Sequence, residues 1–387
     1  MQTELSIVIP CLNEAESLPY CLEKAGRFLL ENNISGEVIV VDNGSTDDSI
    51  SIAKQFDARI INETEKGYGR AVAAGMKAAN GKFLIMGDAD DSYDFYPLMP
   101  FLERLRDGYD LVVGNRFAGG IQKGAMPFLH QYIGNPALSF VSKLFFRSKA
   151  GDILCGLRGV TKKAFEKMEL RTTGMEFCPE MIVKATLHKM KVAEVPIQLY
   201  PDKRNRASHL KTWQDGWRNL RFLLLYSPKW LFLIPGMIIL LFGFLLSIFL
   251  IKSPLPIAGK KLDVHTLIYT SGCTLLGFQF ITFYFFTRLY AATHGLLPFQ
   301  EKFLLNFNKY FKLERGLLFG FLLIIGGIAL SIRSFLFWEH IGFGNLDPMV
   351  VLRWVIPSMT LIILGVQIII SFFYLSFLTI NSKQNKK

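Results

Sequence analysis

The chain has 387 residues, of which 51% are hydrophobic and 19% charged, and its mean hydropathy is +0.30. This balance excludes an ordinary soluble enzyme, which is less apolar, and a pure membrane bundle, which carries fewer charges. The apolar residues concentrate beyond about Tyr226, which predicts a globular part followed by a membrane part. The net charge of +11 favours anionic lipid headgroups or phosphorylated substrates as partners. Nucleic acid is disfavoured, because the globular half has no basic run interleaved with aromatics.

The cysteines and the N-terminus bear on the cellular compartment. The five cysteines are far apart and form no Cys-x-x-Cys pair, so neither a disulfide framework nor a zinc site is predicted. We interpret them as reduced thiols in a cytosolic compartment. The N-terminus opens directly into a strand pattern and lacks the charged-then-apolar layout of a signal peptide.

Short apolar segments alternate with helical patterns through the first 90 residues. Strands are predicted over 5–10, 37–42, 59–62 and 83–87, with helices over 16–31, 48–56 and 69–79. This alternation predicts a parallel sheet with helices on both faces. Ligands of such sheets bind beyond the carboxyl ends of the strands. Polar motifs follow three of the predicted strands, at 11–14, 42–47 and 88–91, which predicts an active site there.

The motif at 42–47 can bind part of a nucleotide. Asp42 can accept hydrogen bonds from a ribose or a base, and Gly44 allows a tight turn with exposed amides. An Asp-Asn-Gly-Ser run is also an ordinary turn motif, so this motif alone leaves both interpretations open.

Asp88, Asp90 and Asp91 form a dense carboxylate cluster after an apolar strand. Repulsion among them must be relieved by a cation or by protonation. Mg²⁺ or Mn²⁺ bridging to a diphosphate is the natural solution, and a solvated acidic loop is the alternative.

Further charged residues follow later strands. Arg116 and Arg158 each end a motif that contains glycine, and arginines in such positions are suited to clamp phosphates, although either could be a structural ion pair. Asp152 and Glu180 are candidate positioners of reactive groups. Glu180 is equally well explained as an acidic residue that stabilises the start of a helix.

A basic segment at 203–206 and an amphipathic pattern at 209–222 follow the globular part. Tryptophans and basic residues on different sides of this helix predict an interfacial helix in the headgroup layer. Packing of the helix on the globular domain is the alternative.

Four stretches contain no Asp, Glu, Lys or Arg, at 231–251, 266–287, 316–332 and 354–380. A transmembrane helix needs roughly 17–25 apolar residues, so four spans are predicted. Positive residues concentrate between the second and third spans and in the tail. They are Arg288, Lys302, Lys309, Lys312, Arg315, Lys383, Lys386 and Lys387. This bias predicts that the N-terminal domain and the C-terminus are cytoplasmic.

Residues 5 to about 225 resemble family 2 glycosyltransferases of the GT-A fold, in particular polyprenyl-phosphate glycosyltransferases. These include dolichyl-phosphate mannosyltransferases and undecaprenyl-phosphate glucosyltransferases. Six motifs in order carry the resemblance: VIPCLNE at 8–14, VDNGSTD at 41–47, KGYGRA at 66–71, MGDAD at 86–90, VGNR at 113–116 and CGLR at 155–158. It implies a Rossmann-like mixed sheet with helices on both faces, followed by an interfacial helix and four transmembrane helices.

The resemblance also implies residue roles. The residues implied in binding the nucleotide-sugar are Pro10, Asn13, Glu14, Asp42, Gly44, Lys66 and Gly67. Asp88 and Asp90 would be the Asp-x-Asp pair that binds the divalent ion, and Arg116 and Arg158 would bind the diphosphate or the acceptor phosphate. Where many relatives have Leu-Gln after this pair, the chain has Asp91-Ser92, so Asp91 or Ser92 can substitute as a metal ligand.

We therefore predict a catalytic domain over 1–205, an interfacial region over 206–228, a four-helix transmembrane domain over 229–380 and a basic tail over 381–387. The predicted reaction is metal-dependent, inverting transfer of a hexose from UDP-glucose or GDP-mannose to a polyprenyl phosphate. It is placed at a bacterial or archaeal cell membrane, and homo-oligomerisation is left open. The alternatives are a glycan or protein acceptor, a non-enzymatic scaffold or flippase, and a processive polysaccharide synthase, whose Gln-x-x-Arg-Trp motif the segment 213–218 does not match.

Overall fold

The computed structural model describes residues 3–204, 212–257, 259–294 and 311–384. The chain divides into two compact units, Met1–Tyr226 and Ser227–Lys387. Some residues used in the predictions lie outside the described residues, as does the side chain of Lys383. They are Asn205, Arg206, His209, Leu210, Lys211, Lys302, Lys309, Lys386 and Lys387.

The first unit is built on a seven-stranded mixed sheet, which confirms the predicted fold class. Its strands are β1 (Leu5–Cys11), β2 (Gly36–Asp42), β3 (Arg59–Asn62), β4 (Phe83–Met86), β5 (Leu111–Asn115), β6 (Arg158–Thr161) and β7 (Val192–Pro196). Their order in the sheet is β3-β2-β1-β4-β6-β5-β7. Strand β6 runs antiparallel to both of its neighbours, and the other pairs are parallel.

Helices surround this sheet. They are α1 (Leu18–Glu31), α2 (Ser49–Gln55), α3 (Tyr68–Ala78), α4 (Met99–Arg106), α5 (Arg116–Gly119), α6 (Asn135–Phe146), α7 (Lys162–Met168), α8 (Phe177–Leu187) and α9 (Thr212–Leu225). A π-helical turn, His130–Gly134, leads into α6. Successive residues of β1 point to opposite faces of the sheet, and Leu5, Ile7, Val8 and Ile9 are all fully buried, so both faces are covered.

The sheet topology brings the predicted motifs together. Strands β1, β2 and β4 are parallel neighbours, so the segments that follow them meet at one edge. Strand β6 starts at this same edge because it is antiparallel, and Arg158 pairs in register with Met86 of β4. The motif at 155–158, which precedes β6, therefore lies beside the motif at 86–90, which follows β4.

The second unit contains a π-helical turn (Lys229–Leu233), α10 (Ile234–Lys252), a hairpin of β8 (Leu255–Ile257) and β9 (Lys260–Leu262), α11 (Val264–Thr293), α12 (Leu313–His340) and α13 (Pro348–Gln384). Among the described residues, four helical segments are long and apolar enough to cross a membrane, at Lys229–Lys252, Val264–Ala292, Leu313–His340 and Pro348–Thr379. These segments coincide with the four predicted spans, as expected of an integral membrane protein.

Small and polar residues hold the second unit together. A Cβ atom on Gly320 of α12 would lie 2.8 Å from the carbonyl oxygen of Gly365 of α13, so the glycines allow the two helices to approach closely. Gln367 of α13 donates a hydrogen bond to Gln279 of α11 at 3.2 Å. This polar pair between two long, largely apolar helices favours one register of α11 against α13.

Candidate active site

Asp88 lies in the turn after β4, between a tyrosine and a glycine. The hydroxyl of Tyr68, at the first position of α3, donates to Oδ1 of Asp88 at 2.9 Å. On the other side, a Cβ atom on Gly156 would lie 2.6 Å from Oδ2 of Asp88, so only glycine fits there. The carboxylate orientation is therefore set by two motifs that are distant in the sequence.

The charge of Asp88 is destabilised by its surroundings. Burial first, and then the negative charge of Asp90, raise the pKa of Asp88 to about 7, although the hydrogen bond from Tyr68 acts in the opposite direction. Two neighbouring carboxylates resist simultaneous ionisation unless a positive charge offsets them. The Asp88–Asp90 pair therefore has the electrostatic character of a cation site.

Asp90 is held by groups on both sides. Its Oδ1 accepts hydrogen bonds from the amide of Ser92 at 3.0 Å and from the hydroxyl of Ser92 at 2.6 Å. Its Oδ2 contacts Nη2 of Arg204 at 2.5 Å, and Nη1 of Arg204 contacts Glu14 at 3.2 Å. A guanidinium thus bridges two of the predicted donor-site carboxylates.

Backbone pairing positions Arg204. The amide of Tyr200 donates to the carbonyl of Ser92 at 3.0 Å, and the amide of Lys203 donates to the carbonyl of Asp90 at 3.2 Å. The segment 200–204 therefore runs along the carboxylate turn. Arg204, which belongs to the basic segment at 203–206, is thus turned onto the carboxylates.

Asp91 has a different environment from Asp88 and Asp90. It adopts a φ of 58°, and its two oxygens contact the ammonium groups of Lys24 and Lys203, each at 2.7 Å. Lys203 also lies 3.8 Å from the ring centroid of Tyr20. Metal binding by Asp91 stays a prediction, and it would require both lysines to move.

The loops after β1 and β2 fasten to each other through their predicted site residues. Oδ1 of Asn13 accepts from the amide of Thr46 at 2.7 Å, and Oδ1 of Asp42 accepts from the amide of Ser45 at 2.9 Å. Pro10 lies within β1, near its carboxyl end. These contacts determine the shape of the two loops. Binding of a nucleoside by Pro10, Asn13 and Asp42 stays a prediction.

Asn43 is a functional candidate that the sequence reasoning did not select. It is buried directly after β2, and its Oδ1 accepts from the amide of Gly67 at 2.8 Å, while its Nδ2 donates to the carbonyl of Glu63 at 2.9 Å. Nζ of Lys66 lies 3.4 Å from the carbonyl oxygen of Gly44. Asn43 therefore joins the predicted donor-binding turn to the segment that carries Lys66 and Gly67.

Arg116 and Asp152, predicted separately as a phosphate clamp and a positioner, form a bidentate ion pair. Nε and Nη2 of Arg116 lie 2.6 and 2.8 Å from the oxygens of Asp152, and the two side chains are 9% and 0% exposed. The positive charge of Arg116 also lowers the pKa of Asp88, although burial and Asp90 outweigh it. The charge of Arg116 therefore contributes to the electrostatics of the carboxylate site.

Arg158 is fully buried and donates to backbone carbonyls. Nε contacts the carbonyl of Cys155 at 2.7 Å, Nη2 contacts that of Ile153 at 2.6 Å, and Nη1 contacts that of Cys178. Arg158 thus holds the turn that presents Gly156 to Asp88. In this arrangement the guanidinium of Arg158 is enclosed. Phosphate binding by Arg158 stays a prediction.

Glu180 is also fully buried and organises a loop. It accepts from the amide of Thr172 at 2.8 Å and from the hydroxyl of Thr172 at 2.7 Å, and it contacts Lys184 at 3.1 Å. The carbonyl of the next residue, Thr173, accepts from the amide of Gly69 at 3.0 Å. Glu180 therefore supports the start of α3, where Tyr68 contacts Asp88, so its contacts are those of a positioning residue.

Two tyrosines complete the site and were missed by the sequence reasoning. Tyr68 contacts Asp88, and the hydroxyl of Tyr93 accepts from the amide of Gly156 at 2.9 Å. Tyr68 lies inside the KGYGRA motif, so its position was a usable signal. Tyr93 follows the carboxylate cluster closely but resembles an ordinary core aromatic in sequence.

Comparison with known proteins adds independent findings. A sequence profile of glycosyl transferase family 2 matches residues 6–169, and a profile of the family 2 C-terminal transmembrane region matches residues 285–379. The low-salt glycan biosynthesis hexosyltransferase Agl6 of Haloferax volcanii is 33% identical over 96% of this chain and 88% of its own length. A dolichyl-phosphate hexose transferase of the same organism is 30% identical over 50% of this chain and 82% of its own length.

Among solved structures, glucosyl-3-phosphoglycerate synthase from Mycobacterium tuberculosis, in complex with Mn²⁺, UDP and glucosyl-3-phosphoglycerate, covers 57% of this chain and 77% of its own. The TM-score is 0.44 at 19% sequence identity.

We expect Asp88→Asn to stabilise the metal-free protein more at about pH 8 than at about pH 5. In the folded state the pKa of Asp88 is about 7, compared with an ordinary value of 3.8. Ionisation of Asp88 therefore opposes folding progressively as the pH rises from about 4 to 7, and the substitution removes this penalty. Thermal unfolding in EDTA across this range measures the effect. Asp57→Asn, at an exposed position with positive φ, is the control. A gain that shrinks as the pH rises would contradict the expectation.

We expect Asp152→Asn to destabilise the first unit by about 3–5 kcal/mol, because it leaves the buried guanidinium of Arg116 without a counter-charge. The double substitution Arg116→Met with Asp152→Leu should be much less destabilising, since it removes both charges. Thermal unfolding of the purified variants measures both effects. Equal losses in the single and double variants would show that the ion pair is not the source of the effect.

Proposed function

The chain belongs to glycosyltransferase family 2, and from this premise we propose that it transfers a hexose from a nucleotide-diphosphate donor to a polyprenyl phosphate, with inversion at the anomeric carbon. The observation that carries the proposal is the Asp88–Asp90 pair at the carboxyl edge of the sheet, in a chain that also contains four candidate membrane spans. A membrane-bound phosphate acceptor fits this combination. The similarity to a dolichyl-phosphate hexose transferase supports it.

A divalent cation, Mg²⁺ or Mn²⁺, fits the residues at this site. No group of three or more His, Cys, Asp or Glu residues that could hold a metal occurs in the described part of the chain. Mg²⁺ is commonly held by only one or two carboxylates together with substrate phosphates. Asp88 and Asp90 would supply these carboxylates and the donor diphosphate the remaining oxygens. When bound, the cation would stabilise negative charge on the leaving diphosphate.

The transfer step needs little acid–base chemistry from the protein. An oxygen of the acceptor phosphate attacks the anomeric carbon, and the bond from that carbon to the donor diphosphate breaks, its electron pair leaving with the nucleoside diphosphate. The acceptor phosphate is already anionic at neutral pH, so a strong general base is not required. Arg116 is held by Asp152 and would stabilise phosphate charge near the carboxylates.

We place the catalytic unit on the cytoplasmic side of a bacterial or archaeal membrane. Support comes from Lys312, which lies between the second and third candidate spans, and from Arg288 and Arg315, which lie near the adjoining ends of these two spans. Positive charge in such a connection marks the cytoplasmic side. UDP-glucose and GDP-mannose remain the two proposed donors.

The proposed function is tested with the purified full chain, labelled nucleotide-sugars, Mg²⁺ or Mn²⁺, and undecaprenyl phosphate. The expected product is a lipid-linked monosaccharide. We expect Asp90→Asn to lower the transfer rate by at least about 10²-fold, because stabilisation of the leaving diphosphate is worth several kcal/mol. Asp57→Asn provides the matched control on the surface. Near-normal transfer by Asp90→Asn, or product formation that EDTA leaves unchanged, would contradict the site assignment.

We expect Arg204→Gln to bind Mn²⁺ more tightly than the native protein when no nucleotide is present. The guanidinium of Arg204 contacts Asp90 and Glu14, so a cation must displace it. A hydrogen bond between charged groups is worth about 1.5–3 kcal/mol, so the affinity should rise roughly tenfold or more.

Titration of free Mn²⁺ by electron paramagnetic resonance measures this affinity without relying on transfer activity. Arg106→Gln is the matched control, because Arg106 pairs with Glu4 just before the start of β1, at the opposite edge of the sheet. Unchanged or weaker Mn²⁺ binding by Arg204→Gln would show that Arg204 does not compete with the cation.

A further inference from the structure

Helix α6 and the π-helical turn before it present large apolar side chains to solvent. Four residues, Ile133, Ala137, Phe140 and Leu144, recur at helical spacing on one side and are all exposed. We call these four residues the α6 stripe. Phe140 is 64% exposed, and Phe128 and Tyr132 are exposed nearby with their ring centroids 4.8 Å apart. Contiguous apolar surface of this kind marks an interaction site.

The opposite side of α6 shows that this exposure belongs to the fold. Ser139 and Ser142 face inward and are buried. Their hydroxyls are satisfied, since Ser139 accepts from the amide of Ile153 at 3.3 Å and Ser142 lies 3.1 Å from the hydroxyl of Ser148. Leu138, Val141 and Phe145 of α6 also pack against the core, so the exposed apolar residues are additional to a packed apolar side. A helix on a water-facing surface has polar or charged residues on the side away from the core. The α6 stripe therefore faces an environment less polar than water.

The charge around the α6 stripe indicates what that environment is. The sequence contains no Asp or Glu between Arg116 and Asp152, whereas Lys123, Lys143, Arg147 and Lys149 lie in this segment and are exposed. Exposed aromatic and aliphatic residues with a basic rim suit the headgroup layer of an anionic membrane. Pairing of this surface with the same surface on a second copy would bring like charges together, which disfavours self-association.

The α6 stripe is also part of a larger surface within the first unit. Helix α6 packs against α9, whose Trp213 and Trp217 are 81% and 58% exposed. Tryptophans of this kind are typical of the membrane–water interface. In the sequence, α9 directly precedes the first candidate span.

Contacts link α6 to the Arg116–Asp152 ion pair of the candidate site. Ser139 of α6 holds the amide of Ile153, the residue after Asp152, and Asp152 pairs with Arg116. His130 lies in the π-helical turn before α6, and burial and then the positive charge of Arg116 lower its pKa. Contact of α6 with a membrane would therefore set the depth of Arg116 relative to the lipid headgroups.

We propose that the α6 stripe, together with Trp213 and Trp217, inserts into the headgroup layer of an anionic bilayer and holds the Arg116–Asp152 end of the site at the depth of lipid phosphates. The membrane contact rests on the exposed residues alone. Only the inferred effect of this contact on access to the acceptor phosphate rests on the proposed function.

The test uses the full chain reconstituted in liposomes, with an environment-sensitive fluorophore on Phe140→Cys. Leu30→Cys is the matched control, because Leu30 on α1 is an isolated apolar residue with 78% exposure. Protein without an added cysteine gives the background; four of its five cysteines are buried. Expected results are a blue-shifted emission at Phe140→Cys, quenching by lipids that carry a shallow nitroxide, and neither effect at Leu30→Cys.

Two outcomes would overturn the proposal. Emission at Phe140→Cys that is neither shifted nor quenched would place the stripe in water. Emission that is shifted but not quenched would place it against protein, for example a second copy. Both readouts are independent of transfer activity, so absence of a lipid-linked product would overturn the proposed function and leave this result intact.

A second variant tests the link to the acceptor. Phe140→Asp should lower transfer to polyprenyl phosphate in liposomes, with a larger loss in anionic than in neutral lipid, while binding of the donor nucleotide stays unchanged. Leu30→Asp serves as the control. Unchanged transfer by Phe140→Asp would show that the stripe does not position the site.

Discussion

Asp88 and Asp90 follow one buried strand, so their negative charges lie close together. Much of the candidate site is arranged around this constraint. Asp88 is destabilised by burial and by Asp90, which raises its pKa to about 7. Tyr68 stabilises one oxygen of Asp88, and Arg204 places a guanidinium on Asp90. These contacts keep an unfavourable charge arrangement in place, and the cation that we propose to bind together with the donor diphosphate would relieve it.

Supporting contacts for this pair extend well beyond it. Glu180 fixes the loop at 172–173, and this loop in turn supports the start of α3, where Tyr68 contacts Asp88. On the other side, Arg158 holds the turn that presents Gly156. Both residues are fully buried, so they act through the groups they hold. Two charged residues that the sequence suggested as direct participants are thus built into the walls of the site.

The first unit departs in two places from the usual pattern of apolar residues inside and charged residues outside. Arg116 and Asp152 bury opposite charges as a satisfied pair, which is stable only while both partners are present. Helix α6 buries two serines among apolar residues that pack on the core, and it also exposes large apolar residues on its outer side, an arrangement that suits the edge of a bilayer better than water. Both arrangements occur in the segment between β5 and β6, which joins the candidate phosphate-binding arginine to the proposed membrane contact.

By itself the sequence determined the order of strands and helices up to the carboxylate cluster at 88–91. It also determined the motifs at the carboxyl ends of β1, β2 and β4, and four candidate spans. These features depend on local patterns: hydrophobic periodicity, turn residues and the length of uncharged runs. Only the tertiary structure decided that β6 is antiparallel, that Arg116 pairs with Asp152, that Arg204 contacts Asp90, and that the α6 stripe is exposed. Each of these depends on which distant group meets a side chain, and the spacing of residues along the chain does not encode that choice.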